Sequence, residues 1–347
     1  MAGIHSLDRI VGNEYPIFAS DADVRSFERV PYAERIAAQS TYDAIKLGAA
    51  RNPDAPAIQF LANADPAETP LVISHRDFVA RVTQAANMFH ALGVGADDVV
   101  SFMLPLLPEA FVTLFGAEAA GIANPINPLL EPHQIAEILE AAKTTVLVAL
   151  GPVPGTDIWE KVEQVRGKLK HLKAIVQVRG RGDPANKIFA FDDLIKAQPG
   201  DRLVSNRRIS AEETAAYFHT GGTTGTPKLV CHSHANQVYQ AWACNLLLKS
   251  KPGTNLLFGM PLFHVGGSLT QALSSFSAGN CLIVLSPAGW RNPAAVRNIW
   301  GLVERFKPEA LSSVPTVLAA TLAVPPGGAD ISSLKYAAGG GSAIPVA

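Results

Sequence analysis

Short, almost unbroken apolar runs alternate with segments of helical spacing along most of this chain. That alternation limits the fold more than any other feature. Residues 99–104, 122–127, 144–149 and 174–178 read as strands apolar on both faces. Residues 108–121, 132–142, 156–169 and 191–197 read as the helices that follow them, the first two opened by a proline in the first turn. A strand apolar on both faces must be covered on both faces, which the short hairpins of an antiparallel sheet do not provide. The pattern predicts an α/β fold with two mostly parallel sheets sandwiched by helices.

Residues 1–40 show no sustained period and read as an irregular N-terminal extension. Residues 41–200 read as a first α/β subdomain, and 201–347 as a second that repeats the alternation. A length of 347 residues fits this division. With 48% hydrophobic and 17% charged residues the chain can build a core, and a net charge of −1 argues against a nucleic-acid partner. The three cysteines, Cys231, Cys244 and Cys281, sit in apolar surroundings and read as buried, reduced thiols rather than a disulfide framework. The N-terminus lacks a basic stretch followed by an apolar run, so no signal peptide is expected. The most apolar stretch, 104–130, is interrupted by Glu109, Glu118 and several Pro and Gly residues, and fails as a membrane span. A soluble, cytoplasmic protein is expected.

The stretch 217–230, YFHTGGTTGTPKLV, cannot be the interior of an ordinary helix or strand. Glycines open positive φ, Pro227 removes a donor, threonines add hydroxyls, and Lys228 adds one charge. Those are the ingredients of a polyphosphate cradle, although a plain Gly/Thr turn has the same composition. A Walker loop needs Gly-Lys-Ser/Thr, but Lys228 stands between Pro227 and Leu229. A dinucleotide fingerprint needs a helix after the glycines, whereas a strand at 228–232 is expected here. Cys231, His232 and His234 invite a zinc reading, but strand alternation points the first two to opposite faces.

Thr220-Gly221-Gly222-Thr223-Thr224-Gly225-Thr226-Pro227-Lys228-Leu229 resembles the phosphate loop of the adenylate-forming enzymes, departing from its pattern at Gly221 and Leu229. His232-Ser233-His234-Ala235-Asn236, Pro261-Leu262-Phe263-His264-Val265-Gly266-Gly267 and Gly339-Gly340-Gly341-Ser342-Ala343 are similar to later signatures of the acyl-CoA synthetase branch. The segments 93–100 and 120–128 look like that family's first sheet unit, so the resemblance runs from about Thr41 to the last residue. It implies the layered N-terminal domain of acyl-CoA synthetases. It also implies ATP, Mg²⁺ and coenzyme A as cofactor and co-substrates, with a carboxylic acid as substrate. The acid would be converted to an acyl-adenylate and then to a thioester.

On that resemblance Thr220, Gly221, Gly222, Thr223, Thr224 and Gly225 hold the β- and γ-phosphates and Lys228 clamps charge. Thr220 is the candidate Mg²⁺ contact. His264 lines the junction of carboxylate and α-phosphate, and Gly339, Gly340 and Gly341 let adenine or substrate approach the backbone. Lys228 and His264 are the catalytic candidates. Trp242, His264, Gly266 and Gly267 are expected to line the pocket of an apolar acid, of medium chain or aromatic. The family's Tyr-Gly-x-Thr-Glu, its Thr-Gly-Asp and its small C-terminal domain do not appear, so the chain is expected to be truncated and inactive alone. A fragment or module that binds nucleotide or acyl ligand without catalysis is the alternative. A coding sequence continuing into Tyr-Gly-x-Thr-Glu would favour the enzyme.

Overall fold

The computed structural model describes Pro16 and residues 18–220 and 228–343. Its strands, in chain order, are β1 (Pro56–Phe60), β2 (Leu71–Ser74), β3 (Val99–Met103), β4 (Ile122–Pro125), β5 (Thr144–Leu150), β6 (Ala174–Val178) and β7 (Ile188–Ala190). Then follow β8 (Thr214–His219), β9 (Leu229–Ser233), β10 (Asn255–Phe258), β11 (Cys281–Val284), β12 (Ala310–Ser313) and β13 (Tyr336–Gly339). A seven-stranded sheet has the order β7-β6-β5-β3-β4-β8-β9 and is parallel except for the edge strand β9. A four-stranded sheet, β10-β11-β1-β2, is parallel except for β2, and β12 pairs with β13 in parallel. This is the expected α/β architecture of mostly parallel sheets layered with helices.

Every residue of β3, β5 and β6 is buried, as the two-sided apolar runs require. The helix Pro108–Ala120 is buried on nearly all sides, which marks a helix held between layers rather than on a surface. Its Phe111 meets Phe258 of β10 at 5.3 Å between ring centroids. Phe78, on the neighbouring helix His75–Ala91, meets Phe276 at 4.3 Å. One apolar cluster thus joins the inner faces of both large sheets.

The division expected at residue 200 does not coincide with either sheet. β8 pairs with β4 in the larger one, and β1 pairs with β11 in the smaller, so strands from both sides of residue 200 share each sheet. The N-terminal segment is also less irregular than expected. Ser20 caps a helix, Asp21–Glu28, through a reciprocal box with Asp23, and Tyr32–Arg35 forms another turn. Neither helix buries a residue, so no apolar period could reveal them. The helix expected over 293–306 breaks at Asn298, whose side chain donates instead to the Ala64 carbonyl at 2.9 Å. The helix expected to begin at Ser268 begins as a π-helix, Gly266–Leu273.

Candidate nucleotide and acid site

β8 and β9 form an antiparallel hairpin in which Phe218 faces Val230 and His219 faces Leu229. The Thr220 N–H donates to the Lys228 carbonyl at 3.0 Å and closes the neck of the loop between them. Gly221, Gly222, Thr223, Thr224 and Gly225 lie outside the described residues. Both neck residues are exposed. The Thr220 hydroxyl reaches the Lys228 carbonyl only at 3.5 Å, a weak bond that leaves it free to turn to a ligand. Among the described residues Lys228 has no carboxylate partner. An uncommitted cation and hydroxyl at one neck fit a metal-bearing polyphosphate. Magnesium keeps several waters and asks few ligands of the protein.

Because β8 is parallel to β4, Thr220 lies at the same edge of the sheet as the turn after β4, where open α/β sheets bind ligands. His219 ties the two together. Its Nε2 accepts from the Asn127 N–H at 3.2 Å, and its ring stacks on Phe263 with centroids 6.2 Å apart. Burial lowers its pKa, so the neutral ring that can accept this bond is favoured. No sequence motif points to His219, because the signal lies in contacts with Asn127 and Phe263 that no local pattern displays.

Phe263 leads into His264, which is exposed. His264 Nδ1 accepts from the Gly266 N–H at 3.0 Å, so a neutral ring carries its proton on Nε2 as a free donor. The His264 carbonyl accepts from the Gly267 N–H at 2.9 Å, starting the π-helix. A Cβ on Gly267 would lie 2.3 Å from the Pro261 carbonyl oxygen, so this position admits no side chain. Gly339 pairs with Ser313 at the end of β13. A Cβ on Gly340 would meet nothing within 4 Å, whereas Gly341 needs its glycine for a φ of +87°.

A small cavity of about 80 Å³ lies between the π-helix and the β12–β13 pair, lined among others by Thr270, Gln271, Ser275, Ser312, Tyr336 and Ala338. Tyr336 and Ala338, two apart on β13, share one face, and the chain continues from there into Gly339–341. Trp242 does not line this cavity. It is 7% exposed and packs with Phe27 and Tyr32 of the N-terminal segment, centroids 6.2 and 5.4 Å away. Its helix, His234–Leu248, instead offers the cavity Asn245 and Leu248, about 60° and 120° further round at 3.6 residues per turn. Cys231 is exposed rather than buried, while Cys244 and Cys281 are buried as expected.

Behind the hairpin lies a buried polar group. Burial, and then Arg207, lowers His234 to about 4, and burial pushes Glu118 up to about 8. Thr41 and Gln237 lie beside Glu118 and favour its charged form, but burial outweighs them.

The chain belongs to the AMP-binding enzyme family, whose model matches residues 46–347. It is 36% identical over 331 residues to a marinolic acid–CoA ligase of Pseudoalteromonas sp. (strain SANK 73390), covering 93% of this chain and 50% of that protein. It is 27% identical over 263 residues to a crotonobetaine/carnitine–CoA ligase of Salmonella arizonae, covering 74% of this chain and 48% of the relative. The chain therefore spans about half the length of these relatives. Its fold matches the anthranilate CoA ligase AuaEII, solved with anthranoyl-AMP, at a TM-score of 0.73 and 24% identity, covering 87% of this chain and 55% of the other. It matches the N-terminal domain of FACL13 from Mycobacterium tuberculosis at a TM-score of 0.73 and 20% identity, covering 89% and 71%. Among the described residues no helix is long and apolar enough to cross a membrane.

Proposed function

We propose that this chain is the nucleotide- and acid-binding part of an acid–CoA ligase. A carboxylate oxygen of the substrate bonds to the α-phosphorus of ATP as pyrophosphate leaves, and the thiol of coenzyme A then displaces AMP from the acyl carbon. One observation carries the reading. The loop neck at Thr220 and Lys228, the turn after β4 and the His264 turn meet at one sheet edge through His219, so phosphate-binding and acid-binding segments are neighbours.

In this reading Lys228 and the Thr220–Gly225 backbone would hold the β- and γ-phosphates, and the Thr220 hydroxyl would be the contact for Mg²⁺. The metal supplies charge neutralisation on the phosphates. His264 donates through Nε2 to the acid carboxylate, and Gly339, Gly340 and Gly341 form an open ledge for adenine or the acyl group. Gly266 and Gly267 shape the wall of the acid pocket. The acid is one with a largely apolar skeleton, of medium chain or aromatic. The buried, protonated thiols of Cys244 and Cys281 suit a cytoplasmic location.

Calorimetric titration of the chain with Mg·ATP tests the proposal. Binding is expected, and Lys228→Ala should weaken it at least about tenfold by removing a charge-assisted contact without altering the fold. A wild-type chain that takes up no ATP would refute the reading.

A further inference from the structure

The cavity beside the π-helix is not the plain apolar slot that a fatty chain would need. Gln271 is 7% exposed and Ser275 5%, and both line it. They stand four apart where the π-helix runs into the helix Ser274–Ala278, and so share a side one turn apart. Gln271 Nε2 lies 3.2 Å from the Ser312 carbonyl and 3.3 Å from its hydroxyl. A carbonyl can only accept, which fixes the amide with its NH₂ toward Ser312. The other end, Gln271 Oε1, is buried without a hydrogen-bond partner among the described residues. The Ser275 hydroxyl lines the same cavity and, unlike Gln271 Oε1, is not sealed from solvent. The neighbouring polar groups are already committed: Ser274 Oγ donates to the Thr270 carbonyl, and Asn245 Nδ2 to the Ser274 carbonyl at 3.0 Å.

A buried, unpartnered acceptor and a hydroxyl open to the cavity, one turn apart on one wall, make a matched pair for a single ligand hydroxyl. Such a group would donate to Gln271 Oε1 and accept from Ser275 Oγ. We propose that the acid taken by this site carries a hydroxyl on its carbon chain, read by Gln271 and Ser275. This rests on the acid-site reading above and narrows its substrate class. A cavity of about 80 Å³ has room for only a short part of the chain, so the hydroxyl is recognised within a few carbons of where the chain enters.

The test is calorimetric titration of this chain, with Mg·ATP present, by hydroxy acids whose hydroxyl steps along successive carbons. Each is paired with its deoxy parent. At least one hydroxy acid should bind about tenfold or more tightly than its parent, since a parent leaves Gln271 Oε1 unpaired. Ser275→Ala and Gln271→Leu should bring the two members of that pair to similar affinity, with ATP affinity close to wild type in both and melting temperature close to wild type in Ser275→Ala. Parents that bind as well as every hydroxy partner would overturn the inference while leaving the acid site standing. If ATP binds but no acid does, the acid-site reading falls and this inference with it.

Discussion

Two glycine turns flank the proposed site, and they are glycine for opposite reasons. At Gly267 the backbone of residues 260–261 presses in so closely that a Cβ would sit 2.3 Å from one carbonyl oxygen and 3.1 Å from the next. At Gly340 a Cβ would meet nothing within 4 Å. One turn is packed shut and the other is an open ledge. Gly-Gly in a motif therefore does not by itself mean room for a ligand. Here the first pair fixes the shape of the wall that starts the π-helix, and the second leaves space above β13.

The sharpest way to break that comparison is substitution on the closed side. Gly267→Ala should cost about 3 kcal/mol, the upper end of what forced overpacking does, because the obstacle is backbone and cannot swing away. Thermal unfolding checks this, and an unchanged melting temperature would mean that the turn is not closed at all.

Closed packing also has an electrostatic side, at Glu118 and His234. Burial, helped by Arg207, lowers His234 to about 4, so the unfolded chain protonates it first and its contribution to stability is lost as pH falls from about 6.5 to about 4. Glu118 runs the other way. Its carboxyl, pushed up to about 8 by burial, stays protonated in the fold while the unfolded chain ionises, so stability falls as pH rises from about 4.5 to about 8. The two oppose each other up to about pH 6.5, and above that the Glu118 effect stands alone. Between pH 6.5 and 8 the loss should be about 2 kcal/mol, and Glu118→Gln should remove it. Denaturant midpoints across that range decide; an alkaline fall that persists in the variant would place its origin elsewhere.

On the open side, Gly341→Ala should cost about 1 kcal/mol. Its φ of +87° is unfavourable for a residue with a Cβ, although the nearest atom, a methyl of Val314, would be at an ordinary 3.7 Å. A larger loss of melting temperature would show that the ledge is packed after all.

What the sequence shows of all this follows from how local each feature is. β3, β5 and β6 were legible because burial on both faces leaves an unbroken apolar run. That each sheet draws strands from both sides of residue 200 is not legible, because pairing of Ile58 with Leu282 is invisible to any local window. Trp242 shows the same limit on a helix. Its period gives the buried face, but only the fold says that this face meets Phe27 and Tyr32 rather than the cavity beside the π-helix. Lys228 and His264 were readable as motif residues, whereas His219 acts through Asn127 and Phe263 from two other segments. Nor could Gly267 and Gly340 be told apart, since what separates them is the atoms facing each missing Cβ.

The smallest stability effect is the most informative one. Gly340→Ala should shift stability by no more than about 0.5 kcal/mol, because no atom opposes the added methyl and φ is not in the left-handed region. If the open ledge receives adenine or the acyl group, the same methyl fills space that the ligand needs, and ATP or acid affinity should drop several-fold while the melting curve barely moves. Affinity and stability both unchanged would leave the ledge open but unused. Both reduced together would make it a second closed turn and dissolve the contrast with Gly267.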